Sequence, residues 1–174
     1  MEITHELTPK SEIDLTGKYI LDACCGSRMM WCNKEHPNVL YQDIREIEET
    51  LCDGRVLKVK PDVFASYLDM PYDDNSFYMV VWDPPHLFNL GENSWMCKKY
   101  GKLDKKSWKD ELSKGFSECM RVLKEMGTLV VKFSTRDIPA KDFYETVGRK
   151  PLFGTVIGRN SDTLWMTYVK LPHH

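Results

Sequence analysis

Val80-Val81-Trp82-Asp83-Pro84-Pro85-His86 is the stretch on which the reading of the chain turns. Three apolar residues run into an acid, two prolines and an imidazole. The apolar run reads as the end of a buried strand. Pro84 removes a backbone donor and closes the helical region to Asp83, so regular sheet stops there. Asp83 is therefore expected at the carboxyl end of a strand, on a stiff turn. In an open α/β sheet that edge is where ligands sit. Taken alone, the same residues also describe a rigid exit from strand to loop.

Outward from this turn, apolar runs and helical patterns alternate. Upstream, strands are expected at 18–23, 39–43 and 63–67, with Cys24-Cys25-Gly26-Ser27-Arg28 as the loop after the first. Residues 29–35 suggest a brief helix ended by His36-Pro37-Asn38, and 45–52 a second helix stopped by Asp53-Gly54. Asp73-Asp74-Asn75-Ser76 is a turn before the strand 77–82. Downstream, residues 87–103 form a long loop. Trp108, Leu112, Phe116, Met120 and Leu123 mark one face of a helix, with Gly127 just past its end. A strand at 128–133, a helix at 140–147 and two strands at 152–157 and 164–169 follow. Gly158-Arg159-Asn160-Ser161-Asp162 joins the last two as a hairpin. Strands alternating with helices imply a mostly parallel sheet covered on both faces.

The totals fit one α/β domain over residues 1–174, with 1–16 a polar lead-in lying over its edge. The 24 basic and 26 acidic residues leave a formal net charge of −2, so the whole molecule has no strong pull toward nucleic acid or membrane. No apolar run approaches the roughly 18 residues needed to span a bilayer. The first residues lack the basic and apolar regions of a secretion signal, which points to a cytoplasmic protein. Cys24, Cys25, Cys32, Cys52, Cys97 and Cys119 have no metal-binding spacing and read as reduced thiols, so no metal site is expected.

Asp22, Asp43 and Asp69 also stand at or just beyond strand ends, on the edge that holds Asp83. Each alone reads equally as a cap or a solvated loop acid. Asp43 follows the first loop at about 20 residues, where a nucleotide-binding unit places an acid on ribose hydroxyls. Gly26 lets backbone approach a ligand closely. Arg28 stands where a glycine-rich loop has its next glycine, which disfavours a nicotinamide dehydrogenase.

Asp22-Ala23-Cys24-Cys25-Gly26-Ser27 resembles the first motif of class I S-adenosylmethionine-dependent methyltransferases. Asp83-Pro84-Pro85-His86 resembles the Asp-Pro-Pro-aromatic motif of their amino-methylating members, with His in the aromatic slot. The segments 68–77 and 121–129 resemble those around the family's fourth and fifth strands, in order and spacing, from about Lys18 onward. Ala23, Cys24, Arg28 and His86 depart from the family pattern.

The resemblance implies a Rossmann-like domain with a mostly parallel seven-stranded sheet, a C-terminal antiparallel hairpin and helices on both faces. It implies S-adenosylmethionine as cofactor. Asp22, Ala23, Cys24, Gly26 and Ser27 would hold its methionine end, Asp43 its ribose hydroxyls, and Asp69 and Met70 its adenine, with Ile44 and Asp83 also among the cofactor-binding residues. In the catalytic turn of Asp83, Pro84, Pro85 and His86, the Asp83 carboxylate and the Pro84 carbonyl would accept hydrogen bonds from a planar amine. His86 would stack on the substrate ring. The implied reaction is methyl transfer to a planar amino nitrogen.

For the substrate, the loop after His86 carries Lys98, Lys99, Lys102, Lys105, Lys106 and Lys109 among Trp95, Tyr100 and Trp108. Lysines interleaved with aromatics suit single-stranded nucleic acid or a flipped base, and Trp95, Lys98, Lys99 and Tyr100 are the candidate contacts. A solvated lysine-rich loop explains them equally. The expected substrate is the exocyclic amine of a base in DNA or RNA. A protein amide, a small-molecule amine, or a domain that binds cofactor or partner without catalysis are the alternatives.

Overall fold

The strand that ends in Trp82 lies near the middle of a seven-stranded sheet. The computed structural model describes residues 6–50, 54–88, 102–155 and 162–172. Its strands are β1 (Ile20–Asp22), β2 (Val39–Asp43), β3 (Ile47–Thr50), β4 (Val56–Val59), β5 (Val63–Phe64), β6 (Phe77–Trp82), β7 (Leu123–Ser134), β8 (Phe153–Gly154) and β9 (Thr163–Val169). The α-helices are α1 (Trp108–Val122) and α2 (Ala140–Val147). The main sheet has the order β5-β2-β1-β6-β7-β9-β8, and β3 and β4 form a separate two-stranded sheet. Strands β5, β2, β1, β6 and β7 are parallel, and β9 and β8 close the sheet antiparallel.

From β1 the chain builds outward through β2 to β5, then returns to lay β6 on β1's other side. The strand order therefore reverses between β1 and β6, and loops leaving their carboxyl ends diverge to open a crevice. Asp22↔Val81 and Trp82↔Val131 are register pairs, so the ends of β1, β6 and β7 lie side by side.

One face of the sheet is covered by helices. Leu21, Leu40, Val80, Trp82, Leu129, Val131, Leu164 and Met166 share a core with Leu112, Phe116 and Cys119 of α1 and Phe143 of α2. Gly115 lets α1 sit close: a Cβ there would lie 2.7 Å from the Tyr67 ring and 2.8 Å from Trp82. The two helices pack on each other, so they share this face; helices on opposite faces would be separated by two interlayer distances, each about 10 Å.

The other face differs from the sequence expectation. Residues 29–35 form turns rather than a helix, and 47–50 pair antiparallel with 56–59 instead of continuing one. The expected helical cover of both faces is thus replaced here, among the described residues, by a loop and a hairpin. Trp31 and Cys25 pack on Val39 and Tyr41 under that loop. The alternation of Val56-Leu57-Lys58-Val59, exposed and buried in turn, explains the hairpin: only a strand period places Leu57 and Val59 together inside.

Two further expectations are corrected. The strand expected over 63–67 is regular only at Val63–Phe64. Gly127 does not cap a helix: α1 ends at Val122, and Gly127 lies inside β7, where a Cβ would meet the Lys124 carbonyl at 2.7 Å. Loop closures follow chemistry instead. Asn75 takes the left-handed conformation in the 73–76 turn. Arg121 reaches from α1 to the carbonyls of Met70 and Tyr72, while Glu118 accepts from the Met70 amide. Thr8 borders the sheet edge, bonding its amide to the Phe64 carbonyl and its hydroxyl to the Phe64 amide. No helix among the described residues is long and apolar enough to cross a membrane.

Candidate active site

A cleft opens over the carboxyl ends of β1, β2 and β6. Ala23, Cys24, Cys25, Gly26 and Ser27 line one side, with Asp43, Ile44 and Arg45 after β2. Ala65 to Leu68, Asp83, Pro85, Lys102, Glu111 and Lys132 complete the walls. The loop after β1 turns through Gly26 and Arg28, at φ 49° and 54°. Arg28 thus occupies a left-handed conformation that costs a side-chain-bearing residue about 1–2 kcal/mol. Its guanidinium offsets this by bonding the carbonyls of Lys34 and Lys60, pairing with Glu35 and Asp62, and lying 3.8 Å over the Tyr41 ring. Where the family pattern has a glycine, this chain has a brace.

Three carboxylates stand at the ends of three neighbouring strands, each in a different state. Asp43, after β2, accepts from the Gly26 amide on Oδ2, and from the Arg45 amide and guanidinium at 2.9–3.1 Å. Asp22, at the end of β1, is fully buried; Trp31 Nε1 donates to its Oδ2 at 2.7 Å. Burial pushes the Asp22 carboxyl up to about 7, against the Trp31 bond that lowers it. Asp83, just after β6, receives Lys132 Nζ on Oδ2 at 2.6 Å. Its Oδ1 is buried and has no hydrogen-bond partner among the described residues.

Acids and bases alternate on the cleft lining: Asp43, Asp83 and Glu111 stand with Arg45, Lys102 and Lys132. Burial first, then the Asp22, Asp83 and Asp43 carboxylates, push the Cys24 thiol well above its ordinary value.

The structure brings Ala23, Cys24, Gly26, Ser27, Asp43, Ile44, Asp83 and Pro85 to one cleft. Asp22 lies buried beneath it and Asp69 is exposed outside its walls, with Leu68 on the wall instead. Met70 is buried in the main core. The expected gathering of four carboxylates at one rim is therefore two, Asp43 and Asp83. His86 departs from the expected stacking position: it is buried, edge-on to Phe133 at 5.8 Å. Its Nδ1 lies 2.9 Å from the Pro84 carbonyl, which can only accept, so Nδ1 carries the proton. Burial lowers the imidazole's affinity for a second proton. The ring braces the Pro-Pro turn from within. Trp95, Lys98, Lys99 and Tyr100 lie outside the described residues, as does most of the joint at 158–162.

Lys132, Arg45 and Trp31 were not singled out by the sequence. Lys132 left a trace, as the lone charge in Thr128-Leu129-Val130-Val131-Lys132-Phe133. Arg45 looked like the start of a helix, and nothing in the sequence tied Trp31 to Asp22.

No family model matches the chain, and no curated protein matches it. Solved structures do. A Thermus thermophilus 16S rRNA N2 G1207 methyltransferase, in complex with AdoMet and guanosine, aligns at TM-score 0.51 and 13% identity, over 94% of this chain and 38% of that one. This chain therefore spans well under half the length of that protein. A TehB-like SAM-dependent methyltransferase from Corynebacterium glutamicum aligns at TM-score 0.54 and 17% identity, over 88% and 80% of the two chains. A geranyl diphosphate C-methyltransferase from Streptomyces coelicolor aligns at TM-score 0.51 and 10% identity, over 88% and 71%. With its strand order, reversal point and antiparallel closing strands, this chain carries the fold of the class I S-adenosylmethionine-dependent methyltransferases.

Proposed function

We propose that the chain is an S-adenosylmethionine-dependent methyltransferase acting on a planar amino nitrogen, the exocyclic amine of a nucleobase in DNA or RNA. One observation carries this reading. A buried carboxylate oxygen, Asp83 Oδ1, has no hydrogen-bond partner among the described residues, and Asp83 lines a cleft that also holds Gly26 and Asp43. A buried acceptor left unmet is costly, about 1–3 kcal/mol or more when charged. A ligand N–H removes that cost.

The residues present fit the cofactor. The Asp83 carboxylate on the cleft wall would suit a cationic sulfonium better than a phosphate, and the Gly26 amide lies against Asp43. Asp43 would turn to the ribose hydroxyls, with Arg45 yielding part of its hold. Ala23, Cys24, Gly26 and Ser27 would line the methionine end. Ile44 at the mouth and the wall from Ser66 to Leu68 would flank the adenine, in place of the expected Asp69 and Met70. When bound, S-adenosylmethionine supplies an electrophilic methyl group.

The chain's own contribution lies at the other end of the cleft. Asp83 Oδ1 accepts an N–H of the target amine and aims the nitrogen's lone pair. Pro84 is buried outside the cleft lining; its carbonyl, with one lone pair taken by His86, would present its second. A conjugated amine is flat and weakly nucleophilic, so two fixed acceptors favour the pyramidal geometry it needs for attack. Holding reactants in line supplies about 7–11 kcal/mol in well-oriented cases. The rRNA methyltransferase neighbour supports a nucleic acid substrate; the Streptomyces neighbour, crystallised with geranyl diphosphate, supports a small molecule instead.

Transfer of a labelled methyl group to separate pools of DNA, RNA, protein and small metabolites tests the reading. Label in DNA or RNA, lost in Asp83→Ala, is expected. Label confined to protein or metabolites would replace the substrate class. No label in any pool, with the cofactor bound, would leave a binding domain only.

A further inference from the structure

The geometry points to Lys132 as the positioning residue of the catalytic turn, the group that decides which oxygen of Asp83 faces the substrate. This deepens the methyltransferase reading and rests on it.

Lys132 sits one residue past Val131, the register partner of Trp82, and so lies level with Asp83 as β6 ends. Within β7, Val131 and Phe133 point into the helix-covered core, so Lys132 projects from the opposite side of the sheet, beside its β9 partner Trp165. The ammonium nevertheless reaches Asp83. The Lys132 side chain is 22% exposed and that of Asp83 only 9%, and their atoms lie 2.6 Å apart. This is a largely enclosed ion pair rather than a surface one, so solvent does not loosen it.

An aspartate side chain rotates about two bonds and presents either oxygen. Lys132 removes that freedom by engaging Oδ2, which leaves the buried Oδ1 without a hydrogen-bond partner among the described residues. Because the anchor comes from a neighbouring strand, the acceptor is fixed by the sheet and not by the loop that follows it. Lys132 touches no reacting atom in this arrangement; it acts through Asp83.

The test compares Lys132→Met, which removes the donor, with Lys132→Gln, which keeps a neutral one. Turnover is measured on whichever pool the wild type labels, and S-adenosylhomocysteine binding to the unreacted protein is measured by calorimetry. The expected order of kcat is wild type, then Gln, then Met, with Met down by tenfold or more on the scale of a lost preorganised donor, about 10²-fold. S-adenosylhomocysteine affinity and the KM for the methyl donor should stay within about twofold. Equal kcat in wild type and Met overturns the proposal, as does a parallel fall in kcat and S-adenosylhomocysteine affinity. Should Lys132→Met not fold, the Gln variant decides alone: kcat lowered by more than about twofold at unchanged S-adenosylhomocysteine affinity supports positioning, and kcat equal to wild type, or a parallel fall in affinity, overturns it. No transfer by the wild type overturns the methyltransferase reading and this role with it; transfer by the wild type and equally by both variants overturns this role alone.

Discussion

Asp43 and Asp83 hold matching places on either side of β1, yet the chain treats them in opposite ways. Asp43 has both oxygens engaged, by the Gly26 amide and the Arg45 fork. Asp83 has one engaged, by Lys132, and one buried without a partner among the described residues. The first carboxylate organises its own loop and must exchange partners to meet a ligand. The second is already poised. That contrast teaches which end of the cleft is preformed: the end beside β6 and β7, where the anchoring Lys132 comes from a strand.

The largest expected effect breaks the poised side. Asp83→Ala should lower turnover by about 10²–10³-fold with cofactor affinity retained; an equal fall in both would make Asp83 a structural residue. Next, Asp43→Ala should weaken cofactor binding by about 10²-fold, since each hydrogen bond to a charged acceptor contributes about 1.5–3 kcal/mol. Unchanged affinity by calorimetry would remove Asp43 from the site.

Asp22, between them, sharpens the contrast through pH. Unfolded, its carboxyl titrates near the ordinary value of 3.8; folded, it holds its proton to about 7. Between those values the folded chain binds the extra proton. Stability should therefore be fullest below about pH 4 on this account, decline toward pH 7 by up to about 1.4 kcal/mol per unit, and level off above. Urea unfolding from pH 4 to pH 8 would read this slope, and Asp22→Asn should flatten it. The smallest effect belongs to Arg45→Ala, which frees Asp43 from its fork. Cofactor affinity should rise, by less than about tenfold; a fall would mean that Arg45 itself holds the ligand.

The sequence disclosed the poised side more fully than the other. Apolar runs closing in an acid placed β1, β2 and β6, because buried parallel strands have few other ways to end. Trp108, Leu112 and Phe116 placed α1 because its single apolar stripe has a helical period. Beyond β2 the reading failed for a physical reason. Glu46-Ile47-Glu48-Glu49-Thr50 has helical composition, and its strand state depends on pairing with Val56–Val59. Asp53-Gly54 reads as a helix stop, although that dipeptide is also a strong hairpin signal. His86 was assigned to the substrate because aromatic rings in that slot face it; its burial against Phe133 depends on a strand about 47 residues later. Lys132 was missed likewise, since an ion pair between two strand ends exists only once the sheet has formed.

The short hydrogen-bonded join between Thr8 and Phe64 has a practical consequence. It occupies backbone groups on the outer rim of β5 that would otherwise template a second chain. A clone trimmed to begin at Ile13 would keep every wall of the cleft but bare that rim. Its yield should suffer through self-association, visible by light scattering, before any change in ligand binding.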